Sequence, residues 1–210
     1  SKVEGSESFG AAPSPVPLSY RTPHCHVVAT LLLVAHLHTT MLRRLRENGP
    51  VVLVPLAWTF AAAAHLDLLA TRTVLIAHLV MDVILVAFTA LSWSEMRTGV
   101  LRAWKLVLLA GLVLTLVGTV GLLQTPPATP LLWVTVVGWL LVPAVGLAYT
   151  GQRVDRSPRA YTAGAALSAL GAAVYVTTGF LAAESAGLVA GLAIAGLGQT
   201  AGIVAAVRDY

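Results

Sequence analysis

The chain has 210 residues, of which 57% are hydrophobic and only 10% charged, too few charges to wet the surface of a water-soluble domain. The formal net charge of +4 would suggest nucleic acid for a soluble protein, but the arginines gather in short breaks between apolar runs. Membrane topology accounts for them, and nucleic-acid binding is set aside. The single cysteine, Cys25, excludes an internal disulfide framework.

The apolar residues come in runs of about twenty, the length a helix needs to cross a bilayer, without the strict alternation of a barrel strand. An all-α, polytopic membrane helical bundle of about seven transmembrane helices is therefore expected. Residues 1–23, rich in Ser, Pro and Gly, lack the basic-then-apolar order of a signal peptide and read as a flexible extracytoplasmic segment. Residues 24–210 read as one seven-helix transmembrane domain.

In chain order the expected spans run from Val27 to Leu42, Val51 to Ala70, Thr73 to Ser94, Ala103 to Leu123, Leu131 to Thr150, Ala160 to Ala182 and Ala186 to Val207. Every second connection is basic: Arg43, Arg44 and Arg46 follow the first span, Arg97, Arg102 and Lys105 surround the third connection, and Arg153, Arg156 and Arg159 the fifth. The alternate connections hold only Arg72, the stretch TPPATP and Glu184. Lys and Arg accumulate on the cytoplasmic side, so the pattern places the N-terminus outside, the C-terminus in the cytoplasm and the protein in the cell membrane as a multi-pass chain.

Pro143, inside the fifth span, should kink it and free a carbonyl. Trp58, Trp93, Trp104, Trp133 and Tyr149 fall mostly toward span ends, as interfacial anchors do. In the last span Gly187 and Gly191, then Gly198 and Gly202, have the small-xxx-small spacing that lets backbones approach. Packing within the bundle is the plainer use, and a homo-oligomer through the Gly-rich last helices the sharper one.

The chemistry concentrates between His65 and Asp82. His65 and His78 flank a short break near Arg72, so both fall at similar depth, and Asp82 follows His78 at i+4 on the same helix face. All six histidines lie in the first 78 residues, with His24 and His26 before the first span and His36 and His38 within it. Two imidazoles at matched depth are what a b-type haem requires, which makes His65 and His78 the expected axial ligands, with His36 the substitute. The rest of that reading is a small redox subunit exchanging electrons with a quinone or with another membrane subunit.

A non-haem metal site is the first alternative, with His65, His78 and Asp82 as ligands for zinc, copper or iron, and the pair around Cys25 as a further soft-metal candidate. The second is a cofactor-free sensory, partner-binding or transport domain, in which His38, Asp67 and Asp82 belong to a polar pocket or a proton path. In the plainest reading each of these groups simply bonds a neighbour and holds helices together. Asp82 resists that reading most, because an unpaired carboxylate at mid-bilayer costs roughly 2.5 to 3.5 kcal/mol on insertion scales. Retinal bound through a Schiff base is excluded: the only lysines are Lys2 and Lys105, neither in the last span.

Overall fold

A computed structural model describes residues 49–181 and 185–209. The described residues form six helices and no strands: α1 Gly49–His65, α2 Thr71–Ser92, α3 Gly99–Leu123, α4 Thr129–Gly151, α5 Pro158–Phe180 and α6 Ser185–Asp209. Helices α2 to α6, of 22 to 25 residues, are each long and apolar enough to cross a membrane, which makes this a multi-pass helical membrane protein. The span expected from Val27 to Leu42 lies outside the described residues, and the six later spans correspond to α1–α6.

The boundaries follow local chemistry. The second expected span runs on to Ala70, but α1 stops at His65, because Asp67 adopts a left-handed φ of 56°. Its amide donates to the Ala64 carbonyl at 3.2 Å and that of Leu68 to Ala63 at 3.1 Å. This pair of bonds closes a helix end and normally uses glycine at the left-handed position. Arg72, expected in the turn, belongs instead to the first turn of α2. Pro130 and Pro158 open α4 and α5, where a missing N–H costs nothing.

Successive helices pack as antiparallel neighbours, α2 on α3, α3 on α4, α4 on α5 and α5 on α6, while Trp58, Ala61 and Ala62 of α1 pack against Leu140, Ala172, Tyr175, Leu192 and Ala195 from α4, α5 and α6. The connections bearing Arg97 and Arg153 thus emerge at one end. The C-terminus joins them, since the Arg156 guanidinium donates to the Asp209 carbonyl at 3.0 Å and the Ser157 hydroxyl to the Asp209 carboxylate at 3.2 Å. At this basic end Lys105 sits 4.4 Å over the Trp93 ring and Arg153 4.9 Å over Tyr149, holding the two aromatics as interfacial anchors.

The other tryptophans do a different job. Trp139 lies where a side chain on Gly111 would be, Trp58 where one on Gly196 would be and Trp133 where one on Gly179 would be. The indole N–H groups of three tryptophans bridge helices, from Trp104 to the Thr150 hydroxyl at 3.0 Å, from Trp139 to Thr115 at 3.1 Å and from Trp58 to Gln199 at 3.0 Å. Trp58 and Trp133 are therefore interhelical wedges more than anchors, and Trp104 is tied to α4 by its indole N–H. Between α5 and α6 the glycines are used against each other: a Cβ on Gly164 would lie 2.6 Å from the Gly198 carbonyl oxygen, and one on Gly191 2.8 Å from that of Gly171. The small-residue spacing of the last helix is consumed within the chain.

Pro143 closes the account of the core. It has no N–H for the carbonyl one turn earlier, that of Trp139, and the Gln199 amide donates to that oxygen at 3.0 Å from α6. Gln199, 4% exposed, also accepts the Trp58 indole N–H, so one side chain joins α1, α4 and α6. Gln199→Leu is expected to leave the Trp139 carbonyl and the Trp58 N–H unpaired and to cost roughly 1 to 3 kcal/mol for each. Adding Pro143→Ala returns a helical N–H to Trp139 and should recover part of that loss. Unfolding in detergent micelles reads both, and an unchanged stability in Gln199→Leu would refute the assignment.

Candidate polar site beside helix α2

His65 ends α1 and turns toward α5. Its Nδ1 lies 2.8 Å from the Ala61 carbonyl and its Nε2 2.8 Å from the Tyr175 hydroxyl. A carbonyl only accepts, so Nδ1 carries a hydrogen, and in the neutral ring the Tyr175 O–H donates to Nε2. The two rings meet edge to face at 5.5 Å, and Trp133 covers Tyr175 at 5.0 Å. Both nitrogens of His65 are occupied.

His78 is seated elsewhere. Its Nδ1 donates to the Val74 carbonyl at 3.0 Å, and its Nε2 lies in the notch that Gly118 leaves on α3. A Cβ on Gly118 would fall 2.9 Å from that nitrogen and 2.9 Å from the Thr135 hydroxyl of α4. Thr135 itself is turned to the carbonyls of Leu114 and Leu131, at 2.9 and 3.0 Å.

One turn further along α2, and about 16 Å from its start, Asp82 is 8% exposed. Its Oδ2 accepts the Thr119 hydroxyl of α3 at 2.9 Å, while Oδ1 is buried without a hydrogen-bond partner among the described residues. Thr119 is unlike the other intramembrane threonines of α3 and α4. Thr115, Thr135 and Thr150 return their hydroxyl hydrogens to the carbonyl four residues back, as threonine in a helix usually does.

The residues singled out in the sequence therefore fall into three groups. His78 and Asp82 share one face of α2 and one neighbour, α3. His65 belongs to a separate aromatic cluster, and Asp67 is exposed and ends α1, so it lines no pocket among the described residues. His24, Cys25, His26, His36 and His38 lie outside the described residues. Among the described residues no three His, Cys, Asp or Glu side chains come together to hold a metal ion, so His65, His78 and Asp82 do not converge as the ligand set expected of them.

Nor do the two imidazoles, as placed, fit a porphyrin. Iron ligation at His65 Nε2 would displace the Tyr175 hydroxyl, and His78 Nε2 occupies the space a side chain at Gly118 of α3 would take. Thr119, Gly118, Tyr175 and Gln199 complete the polar contacts, and none was singled out in the sequence. Their signal was the one polar or small residue among apolar neighbours on the facing helix, legible only once the pairing of helices is known. The chain matches no family model, no curated protein and no solved structure.

A double-mutant cycle tests the separation. Tyr175→Phe and His65→Phe should be coupled, because each removes the other's partner, whereas His65→Phe and His78→Phe should add within about 0.5 kcal/mol. Strong coupling between the two histidines in unfolding measurements would restore a shared ligand.

Proposed function

We propose that this chain is a proton-translocating protein of the cell membrane, with Asp82 as the group that takes up and releases the proton and with the basic end facing the cytoplasm. The observation that supports it is the uncommitted Oδ1 of Asp82, buried beside an oxygen that is already bonded. Oδ2 can accept the Thr119 hydroxyl whether the group is ionised or neutral, so a proton added at Oδ1 breaks no existing bond. A carboxylate held only to brace two helices would be expected to use both oxygens.

His78, on the same face one turn toward the opposite end, is the other titratable group on this face of α2, with Nδ1 fixed and Nε2 bearing no hydrogen bond among the described residues. Helices α3 and α4 bring no charged side chain between Lys105 and Arg153, so no cation on them neutralises Asp82. Intramembrane Asp and His in succession are what proton relays use. Orientation rests on the basic connections.

The redox reading, with haem b or with zinc, copper or iron and a quinone or subunit as partner, would require His65 to give up Tyr175. It draws no support from the arrangement of His65 and His78. A Soret band in the purified protein, abolished by both His65→Ala and His78→Ala, would reinstate it.

The direct test is proton flux into proteoliposomes under a potassium diffusion potential, followed with an entrapped pH dye. The native protein should conduct above empty vesicles, Asp82→Asn should fall to the level of empty vesicles, and His65→Phe should retain flux. Equal flux in Asp82→Asn and native protein would overturn the assignment, as would no flux above background.

A further inference from the structure

Two of the described buried hydroxyls without a partner lie together on α2. Thr59, Thr115, Thr135, Thr150, Thr162 and Thr200 each donate to the carbonyl four residues back. Thr89 and Ser92 do not: both are buried, 6% and 2% exposed, and both hydroxyl oxygens lack a hydrogen-bond partner among the described residues. Ser168 shares that state but lies in the tight α5–α6 seam beside Gly198. Thr89 and Ser92 sit with Asp82 and Leu85 on the buried face of α2, at i, i+3, i+7 and i+10, a single stripe on a helix.

The stripe runs one way, from Asp82 at mid-helix to Ser92 at the end of α2. The Ser92 carbonyl is taken by the amides of Glu95 and Met96, both at 3.1 Å, while its hydroxyl is left over. The next residue in the chain is Trp93, whose ring the Lys105 ammonium covers. From Thr89 to Asp82 is about 10 Å along the axis, and the only side chain of the stripe in that gap is Leu85, 5% exposed. Two hydroxyls on one side of an apolar residue and a carboxylate on the other are suited to carry a file of waters between them when that residue moves aside, because each hydroxyl both donates and accepts.

We propose that Ser92 and Thr89 form an access path for protons from the basic end to Asp82, closed in this structure by Leu85. The inference rests on the proton-carrying reading of Asp82 and adds the side from which the proton comes and the residue that holds it back. The proton passes between water, the two hydroxyls and Asp82 Oδ1 with no other change in bonding. The groups along the way are His78 beyond Asp82, Thr119 opposite it, and at the entrance Glu95, whose amide holds the Ser92 carbonyl, with Lys105 of α3 over Trp93.

The test uses the full chain in proteoliposomes, with Cys25→Ser as background. Leu85→Ala should raise proton flux several-fold and Thr89→Val should lower it, with both variants retaining the helical content of the native protein by circular dichroism. Thr89→Cys and Ser92→Cys should react with a small, membrane-impermeant methanethiosulfonate added at the basic end and not at the other. Val86→Cys and Leu91→Cys, on the exposed face of α2, should not react from either side. If Asp82→Asn abolishes flux while Leu85→Ala and Thr89→Val leave it unchanged and both buried cysteines stay inert, the path is refuted and the role of Asp82 stands. If Asp82→Asn has no effect, both fall together.

Discussion

Lipid offers no hydrogen bonds, and that absence governs this bundle. Any polar atom placed among the helices must find its partner there, at a cost of several kcal/mol if it fails. Pro143 shows the constraint at its sharpest. The ring deprives Trp139 of its helical donor, Gln199 supplies one from α6, and the remaining oxygen of Gln199 is used by Trp58. One backbone defect is thereby converted into a bond among three helices.

The same economy explains the pairing of large with absent side chains. Indole rings occupy the space over Gly111, Gly179 and Gly196, and reciprocal Trp–Thr bonds tie α3 to α4 at the basic end and again near mid-helix. Each threonine in those pairs gives its hydrogen to its own helix and accepts from the neighbour, so neither atom is left over. Close glycine contact between α5 and α6 needs no polar device at all, because backbones that approach this nearly gain from packing alone.

Set beside that accounting, the unspent oxygens of Asp82, Thr89 and Ser92 stand out because they share one face of one helix. An atom left over at random would be a defect; three in line among the described residues, ending at the basic rim, are what the proposed proton path would use. The aromatic cluster at His65 shows the contrast. There, both ring nitrogens, the Tyr175 hydroxyl and the Trp133 ring are all in contact, and the arrangement binds α1 to its neighbours.

Much of the fold was legible in the sequence because the signal is crude and strong: apolar runs of bilayer length mark five spans within a few residues of their ends. Alternating basic connections agree with the antiparallel order. Asp82 was legible for the same reason, as a carboxylate where lipid forbids one. The pairing of His65 with His78 was inferred from depth alone, and depth does not say which way a ring points around the helix axis. Thr119 and Gly118 were hidden because small and hydroxyl residues are common in membrane helices, and only the antiparallel register of α2 with α3 brings those two to Asp82 and His78. The turn at Asp67 was missed because the left-handed position there is filled by aspartate in place of glycine.

Proton exchange at Asp82 inside the bundle is measured most directly by infrared difference spectroscopy across a pH step in lipid nanodiscs. A carboxylic-acid C=O band that appears on acidification, shifts in deuterium oxide and shifts again in Thr119→Val, but is missing from Asp82→Asn, is the predicted result. A spectrum in which Asp82→Asn and the native protein give the same carboxyl bands would contradict it.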